Sequence, residues 1–312
     1  MIKIQATDLD NIAQNHFNKL KSLVRLELFN KKEKKYIEQN LERIILAKEL
    51  EFSEIIEETK NFNTQKMKLA FIGSQRDKKH KVGASNGYNK FTNKSTTPYN
   101  AYDLAEALNV NTCPYCNRNY THTVKSITNK STRPEFDHFI CKTKHPIFAL
   151  SFYNLIPSCS ICNSSIKGQA KFYYETHIHP YFDDFNSIKK FTIDKTLLSL
   201  VNKNDNFNII FENRDNISLA DENKANKHIE DFVLETLYNS HKDKVLELVD
   251  LSRAYNEDSL QSIVDTFHET KIFKDSNDLK RLLLCHHVDN KDIDKRPLNK
   301  LVKDISEELG LL

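Results

Sequence analysis

Across residues 9–68, apolar side chains recur every three or four positions. Leu20, Leu23, Val24 and Leu28 keep to one face, and Ile37, Leu41, Ile44 and Ile45 continue the spacing with Lys48. That period predicts helices. It returns after Asp221 in four stripes: Ile229, Phe232, Val233 and Leu237; Val245, Leu248, Val249 and Leu251; Leu260, Ile263, Val264 and Phe267; and Leu298, Leu301, Val302, Ile305 and Leu309. Such stripes face a core rather than a cofactor. Residues 102–108 read as a short helix. Between Phe191 and Phe211 two strand-like runs flank a turn at 202–206.

The pattern lapses at residues 73–100. Gly73, Gly83 and Gly87 fall there, and Arg76, Lys78, Lys79, Lys81, Lys90 and Lys94 are opposed only by Asp77. This reads as a basic loop, either a linker or a strap along a phosphate backbone. The Gly spacing does not make a phosphate-cradling NTPase loop. Residues 31–35, Lys-Lys-Glu-Lys-Lys, read as a solvated helix start or a nucleic-acid contact.

Charge is divided along the chain. Residues 1–112 carry 19 Lys/Arg against 14 Asp/Glu, residues 113–182 carry 8 against 3, and residues 183–312 carry 19 against 26. A phosphate-rich substrate would be drawn to the first two parts, whereas the acidic part reads as a solvated or protein-docking surface. Few Gly and Pro argue against an all-β fold. No apolar run is long enough to span a bilayer, and the first residues lack a signal-peptide core. A cytoplasmic protein without a membrane partner is expected.

Four of six cysteines form two Cys-x-x-Cys pairs, Cys113/Cys116 and Cys159/Cys162. Paired thiolates at that spacing suit one tetrahedral Zn²⁺, which four sulfurs leave without an open position for water. The zinc is therefore expected to be structural. Cys141 and Cys285 remain without obvious partners. Catalytic candidates lie between the pairs, in Arg133-Pro-Glu-Phe-Asp137-His138-Phe139. Strand alternation puts Glu135 and Asp137 on one face, with Phe136 and His138 on the other. Asp137 is a hard oxygen ligand suited to Mg²⁺, and His138 can take a proton from water near neutral pH. Lys142, Lys144 and Lys167 could contact substrate phosphates. His179 could approach the centre or be a structural histidine.

The string Asp137-His138-Phe139, Ala149-Leu150-Ser151, Asn154-Leu155, Cys159-x-x-Cys162-Asn163 and Lys167 resembles the cysteine-flanked branch of the HNH endonucleases. That resemblance implies a ββα-metal finger. His138 would be the general base, Asp137 a ligand of the catalytic metal, and Asn154 the residue pinning the loop that orients His138. Asn163 stands where many members have a histidine, so its amide oxygen would be a ligand that leans the catalytic metal toward Mg²⁺ or Mn²⁺. Cys141 stands where many members have proline.

The expected fold class is mainly α, with a small central ββα-metal (HNH) α+β unit stapled by zinc. A helical region at 1–110, a nuclease domain at 111–182 and a 183–312 region of short strands then helices are similar to PtuB, the nuclease subunits of Septu anti-phage defence. That likeness implies a PtuA-like ABC/SMC-type ATPase as partner and, beside retrons, a reverse transcriptase with its msDNA. The alternatives are an HNH ribonuclease, for instance one cleaving tRNA, and a non-catalytic zinc-finger protein that binds nucleic acid.

Overall fold

The computed structural model describes residues 1–73, 86–93, 98–126, 131–194, 206–255, 257–267, 272–273 and 276–312. Most of the expected basic loop, at 74–85 and 94–97, and most of the turn at 202–206 lie outside the described residues. The described chain is mainly helical with two small antiparallel sheets. No helix in it is long and apolar enough to cross a membrane.

Internal contacts define two units. One joins residues 4–110 to 121–183, and the other joins 1–3 and 111–120 to 184–312. This division cuts across the expected regions 1–110, 111–182 and 183–312, because the N-terminal helices share a core with 121–183.

In the first unit the long helical pattern is broken into Leu9–Leu20, Lys31–Leu46, Glu51–Thr59 and Thr64–Met67. Asn30 starts the second of these. Its side chain accepts from Glu33 N at 2.9 Å while Glu33 Oε2 accepts from Asn30 N at 3.3 Å, which satisfies two amides that a helix start leaves unpaired. Lys31, Lys32, Lys34 and Lys35 are exposed on its first turns, and Ile37, Ile44 and Ile45 turn inward.

These helices grip the segment at 146–154. Ser151 Oγ donates to Ile44 O at 2.6 Å, and Phe52 meets Phe148 edge-on at 5.1 Å. His16 is fully buried, with Nε2 on Leu150 O at 2.9 Å and Nδ1 against Tyr99 Oη at 3.1 Å. A carbonyl only accepts, so Nε2 carries the proton. Burial holds the His16 pKa down to about 4, against the raising effect of Leu150 O.

Strand β1, Glu135–His138, pairs antiparallel with β2, Leu155–Ser158, in a register setting Glu135 against Ser158 and His138 against Leu155. The short helix Ile161–Lys167 follows at once and ends at Gly168, whose φ is 50°.

Two glycines of the basic stretch serve close packing. A Cβ on Gly73 would lie 2.2 Å from Asn86 O, and one on Gly87 would lie 2.5 Å from Phe71 O; both residues have positive φ. Two backbones touch here, and Asn86 Nδ2 fastens them by donating to Leu69 O at 2.7 Å and Ala70 O at 3.1 Å. The contact delivers the helix Gly87–Phe91, with Tyr88 and Phe91 buried.

In the second unit β3, Lys189–Ile193, pairs antiparallel with β4, Ile209–Asn213, and the Phe191 and Phe211 rings lie 4.3 Å apart. The helix Asn299–Glu308 packs on β3. Its Lys300 Nζ donates to Asn186 Oδ1, Lys189 O and Asp304 Oδ2 at 2.7–2.8 Å. Asp304 also accepts from Phe191 N and from Arg214. The expected stripe on this helix is present: Leu301, Val302 and Ile305 are buried. The same unit holds the turn at 113–117, where Asn117 Nδ2 donates to Thr112 Oγ1 and Ile293 O, and Asn117 Oδ1 accepts from Lys300 N.

Candidate metal centre and the Asp137-His138 site

Cys113, Cys116, Cys159 and Cys162 are all buried, and their sulfurs all lie within 4.8 Å of one another. Each pair sits in a tight turn. Asn117 N donates to Cys113 O at 2.7 Å with Asn117 at φ 48°, and Asn163 N donates to Cys159 O at 3.0 Å. Backbone amides also reach sulfur: Arg118 N to Cys116 Sγ at 3.4 Å and Cys162 N to Cys159 Sγ at 3.5 Å. Such donors favour thiolate over thiol. The four cysteines could hold a structural zinc. Among the described residues no other group of three or more His, Cys, Asp or Glu is so disposed. Cys141 lies apart, with Sγ 3.1 Å from Thr143 Oγ1, and Cys285 is exposed.

The second site is built from β1 and the helix Ile161–Lys167. Asn163 and Lys167 are four apart on that short π-type helix, and Glu135 and Asp137 are two apart on one face of the strand. Asn163 and Lys167 accordingly meet Glu135 and Asp137. Asn163 Nδ2 donates to Glu135 Oε2 at 2.7 Å, and Ser164 Oγ donates to the same oxygen at 2.7 Å. Lys167 Nζ donates to Asp137 Oδ1 at 2.9 Å and His138 O at 2.8 Å, with both side chains of that ion pair almost wholly buried.

His138 points to the other face, as alternation requires. Its Nε2 lies 3.0 Å from Ala149 O and must carry the proton, which leaves the lone pair on Nδ1. Burial holds its pKa well below the ordinary histidine value. Lys142 adds to that, Ala149 O opposes it, and Lys167 contributes least. Lys142 Nζ stands 3.4 Å from Nδ1 and 4.4 Å above the Tyr88 ring, which meets the His138 ring edge-on at 4.5 Å. Burial lowers the Lys142 pKa, partly offset by Asp137.

Asn154 ties the loop between the strands. Its Oδ1 accepts from Ile140 N at 2.7 Å, and its Nδ2 donates to Ile140 O at 3.1 Å and Phe148 O at 3.0 Å. Both ends of the loop are fixed, so the neighbouring Ala149 carbonyl is aimed at His138.

Compared with protein-family models, curated proteins and solved structures, the chain matches none.

The structure thus brings Asp137, His138, Lys142, Asn154, Asn163 and Lys167 into one small region. Lys167 is buried against Asp137, whereas Lys144 is exposed. His179 sits in an aromatic cluster, stacked on Phe182 at 4.5 Å and near Phe139 at 4.2 Å. Two contributors carried no assignment in the sequence. Glu135 was placed on the Asp137 face by alternation, but nothing marked Asn163 as its partner. Tyr88 had no local signal at all, since only the glycine contact at 73 and 87 brings it to His138.

Proposed function

We propose that the chain is a metal-dependent endonuclease that hydrolyses nucleic-acid phosphodiesters, with His138 as general base. The observation that carries this reading is the fixed tautomer of His138. With Nε2–H committed to Ala149 O, Nδ1 is the proton acceptor, and burial keeps the ring neutral, with that lone pair unprotonated. Proton transfer to Nδ1 would create an imidazolium that the Ala149 carbonyl stabilises. Lys142 beside Nδ1 would be drawn to the incoming phosphate, a stronger acceptor than imidazole, which opens room for the attacking water.

In this reading Asp137, whose Oδ1 now accepts from Lys167, and Asn163 would hold a divalent ion. Asp137 offers carboxylate oxygen and Asn163 an amide oxygen, a hard pair of the kind Mg²⁺ or Mn²⁺ uses while retaining waters and substrate oxygens. Bound there, the ion would neutralise charge on the scissile phosphate and the leaving oxygen. The strand–loop–strand–helix order and the motif string support an HNH-type centre, with the four cysteines as scaffold. DNA is the favoured substrate and RNA the alternative, and the proposed centre would attack a phosphodiester of either.

The purified protein incubated with supercoiled DNA and with RNA, under Mg²⁺, Mn²⁺ or chelator, tests this. Cleavage that requires the added ion is expected. No cleavage of either polymer under any metal, alone or with a PtuA-like ATPase added, would leave a zinc-finger binding protein. The wider reading, an effector of anti-phage defence restrained by a PtuA-like ATPase, rests on the motif string and the helical flanks. Co-purification with such an ATPase tests it.

A further inference from the structure

We infer that Glu135 is a positioning residue, which fixes the Asn163 side chain so that its carbonyl oxygen, not its NH₂, is presented to a divalent cation. The inference rests on the endonuclease reading above. The terminal torsion of an asparagine is broad and two-fold, so packing alone sets the amide poorly. An ionised carboxylate only accepts hydrogen bonds. Glu135 Oε2, 2.7 Å from Asn163 Nδ2, therefore commits the NH₂ to its own side and turns the carbonyl oxygen away. The flipped amide would set two acceptors against each other at Glu135 and aim N–H dipoles at the cation.

Glu135 is itself held by Ser164 Oγ on that same oxygen. Asn163 can hardly shift by other means: its N donates to Cys159 O at 3.0 Å and its O accepts from Gly168 N at 2.9 Å. The helix–strand spacing that sets Lys167 on Asp137 sets Asn163 on Glu135. One short helix thus fastens both residues of the strand face, and the ligand oxygen of Asn163 follows from that fastening.

Mn²⁺ binding to the full-length, zinc-loaded protein, read by electron paramagnetic resonance without substrate, tests this in a double-mutant cycle. Glu135→Gln should weaken Mn²⁺ binding about tenfold, the lower end of what outer partners of metal ligands contribute. In an Asn163→Asp background, where either side-chain oxygen can serve as ligand, the same change should cost less than about twofold, since orientation no longer matters. Equal weakening in both backgrounds would mean that Glu135 acts through its charge alone, and unchanged affinity would mean that it does nothing for the ion; either overturns the inference. Glu135→Asp, which keeps the charge and withdraws the carboxylate by one methylene, gives the same cycle if the glutamine variant loses its zinc. Asp137→Asn separates the two levels of the argument. If it binds Mn²⁺ as the wild type does, or if the wild type binds none, the metal reading falls and takes this inference with it. If it alone abolishes binding while Glu135→Gln is silent, only the role of Glu135 falls.

Discussion

Two buried lysine–aspartate pairs among the described residues look alike in isolation. Lys167–Asp137 is 2.9 Å long and Lys300–Asp304 is 2.7 Å long, and in both the side chains are almost wholly sealed from solvent. Their surroundings differ. Lys300 and Asp304 are four apart on one helix, and their remaining bonds go to Asn186, Lys189 O, Arg214 and Phe191 N. None of those groups belongs to the proposed catalytic centre. Lys167 and Asp137 join a helix to a strand, and the lysine's second acceptor is the carbonyl of His138. A buried charge pair is thus weak evidence of a site by itself; what adjoins it decides.

Carboxylate-to-amide changes at the two aspartates should split the pairs most widely. Asp137→Asn strands buried Lys167 and should cost about 3–5 kcal/mol of stability, and is expected in addition to lower cleavage about 10³-fold, on the scale of losing a principal transition-state contact. Asp304→Asn should leave the chemistry intact but strand Lys300, lowering stability by about 3–5 kcal/mol in denaturant melts. Loss of stability without loss of cleavage at Asp137, or the reverse at Asp304, would undo the comparison.

His16 sharpens it from another side. A buried basic group with no carboxylate gives up its proton instead of keeping a charge. The unfolded chain takes that proton near pH 6.5, whereas folded His16 resists it until about pH 4. Between those values the unfolded state binds more protons, so stability is full above pH 6.5 and falls as the solution is acidified through the window. The loss from this one residue should reach about 3 kcal/mol by pH 4. Melts at pH 7 and pH 4.5 should show a smaller acid loss in His16→Gln than in the wild type.

Gly87→Ala is the mildest of these changes. Its Cβ would meet the Phe71 carbonyl at a φ of +61°, so the backbone must shift, at a cost of about 1–3 kcal/mol. Tyr88 would then leave His138 and Lys142, and cleavage should fall along with the melting temperature.

Local signals in the chain carried most of the helical stripes, though Val233 and Phe267 are exposed, as well as the cysteine pairs and the alternation that sets Glu135 and Asp137 opposite Phe136 and His138. Helix breaks within residues 9–68 depended on finer chemistry. Asn30-x-x-Glu33 is a readable capping box, but apolar periodicity runs straight past it. Gly73 and Gly87 read as looseness, because a sequence shows that a residue lacks a Cβ and not what would collide with one. Lys167 looked like a phosphate contact because a lone lysine gives no hint of a carboxylate thirty positions upstream. The division into two units was hidden for a related reason: residues 111–120 leave their sequence neighbours for helices near the end of the chain, through Asn117 and Lys300.

The most direct measurement is cleavage by His138→Ala beside the wild type, with zinc content and melting temperature recorded on the same samples. The base assignment predicts loss of cleavage by at least about 10²-fold, the lower end for a general base, with zinc per chain unchanged. Wild-type cleavage by a folded, zinc-loaded His138→Ala protein would contradict it.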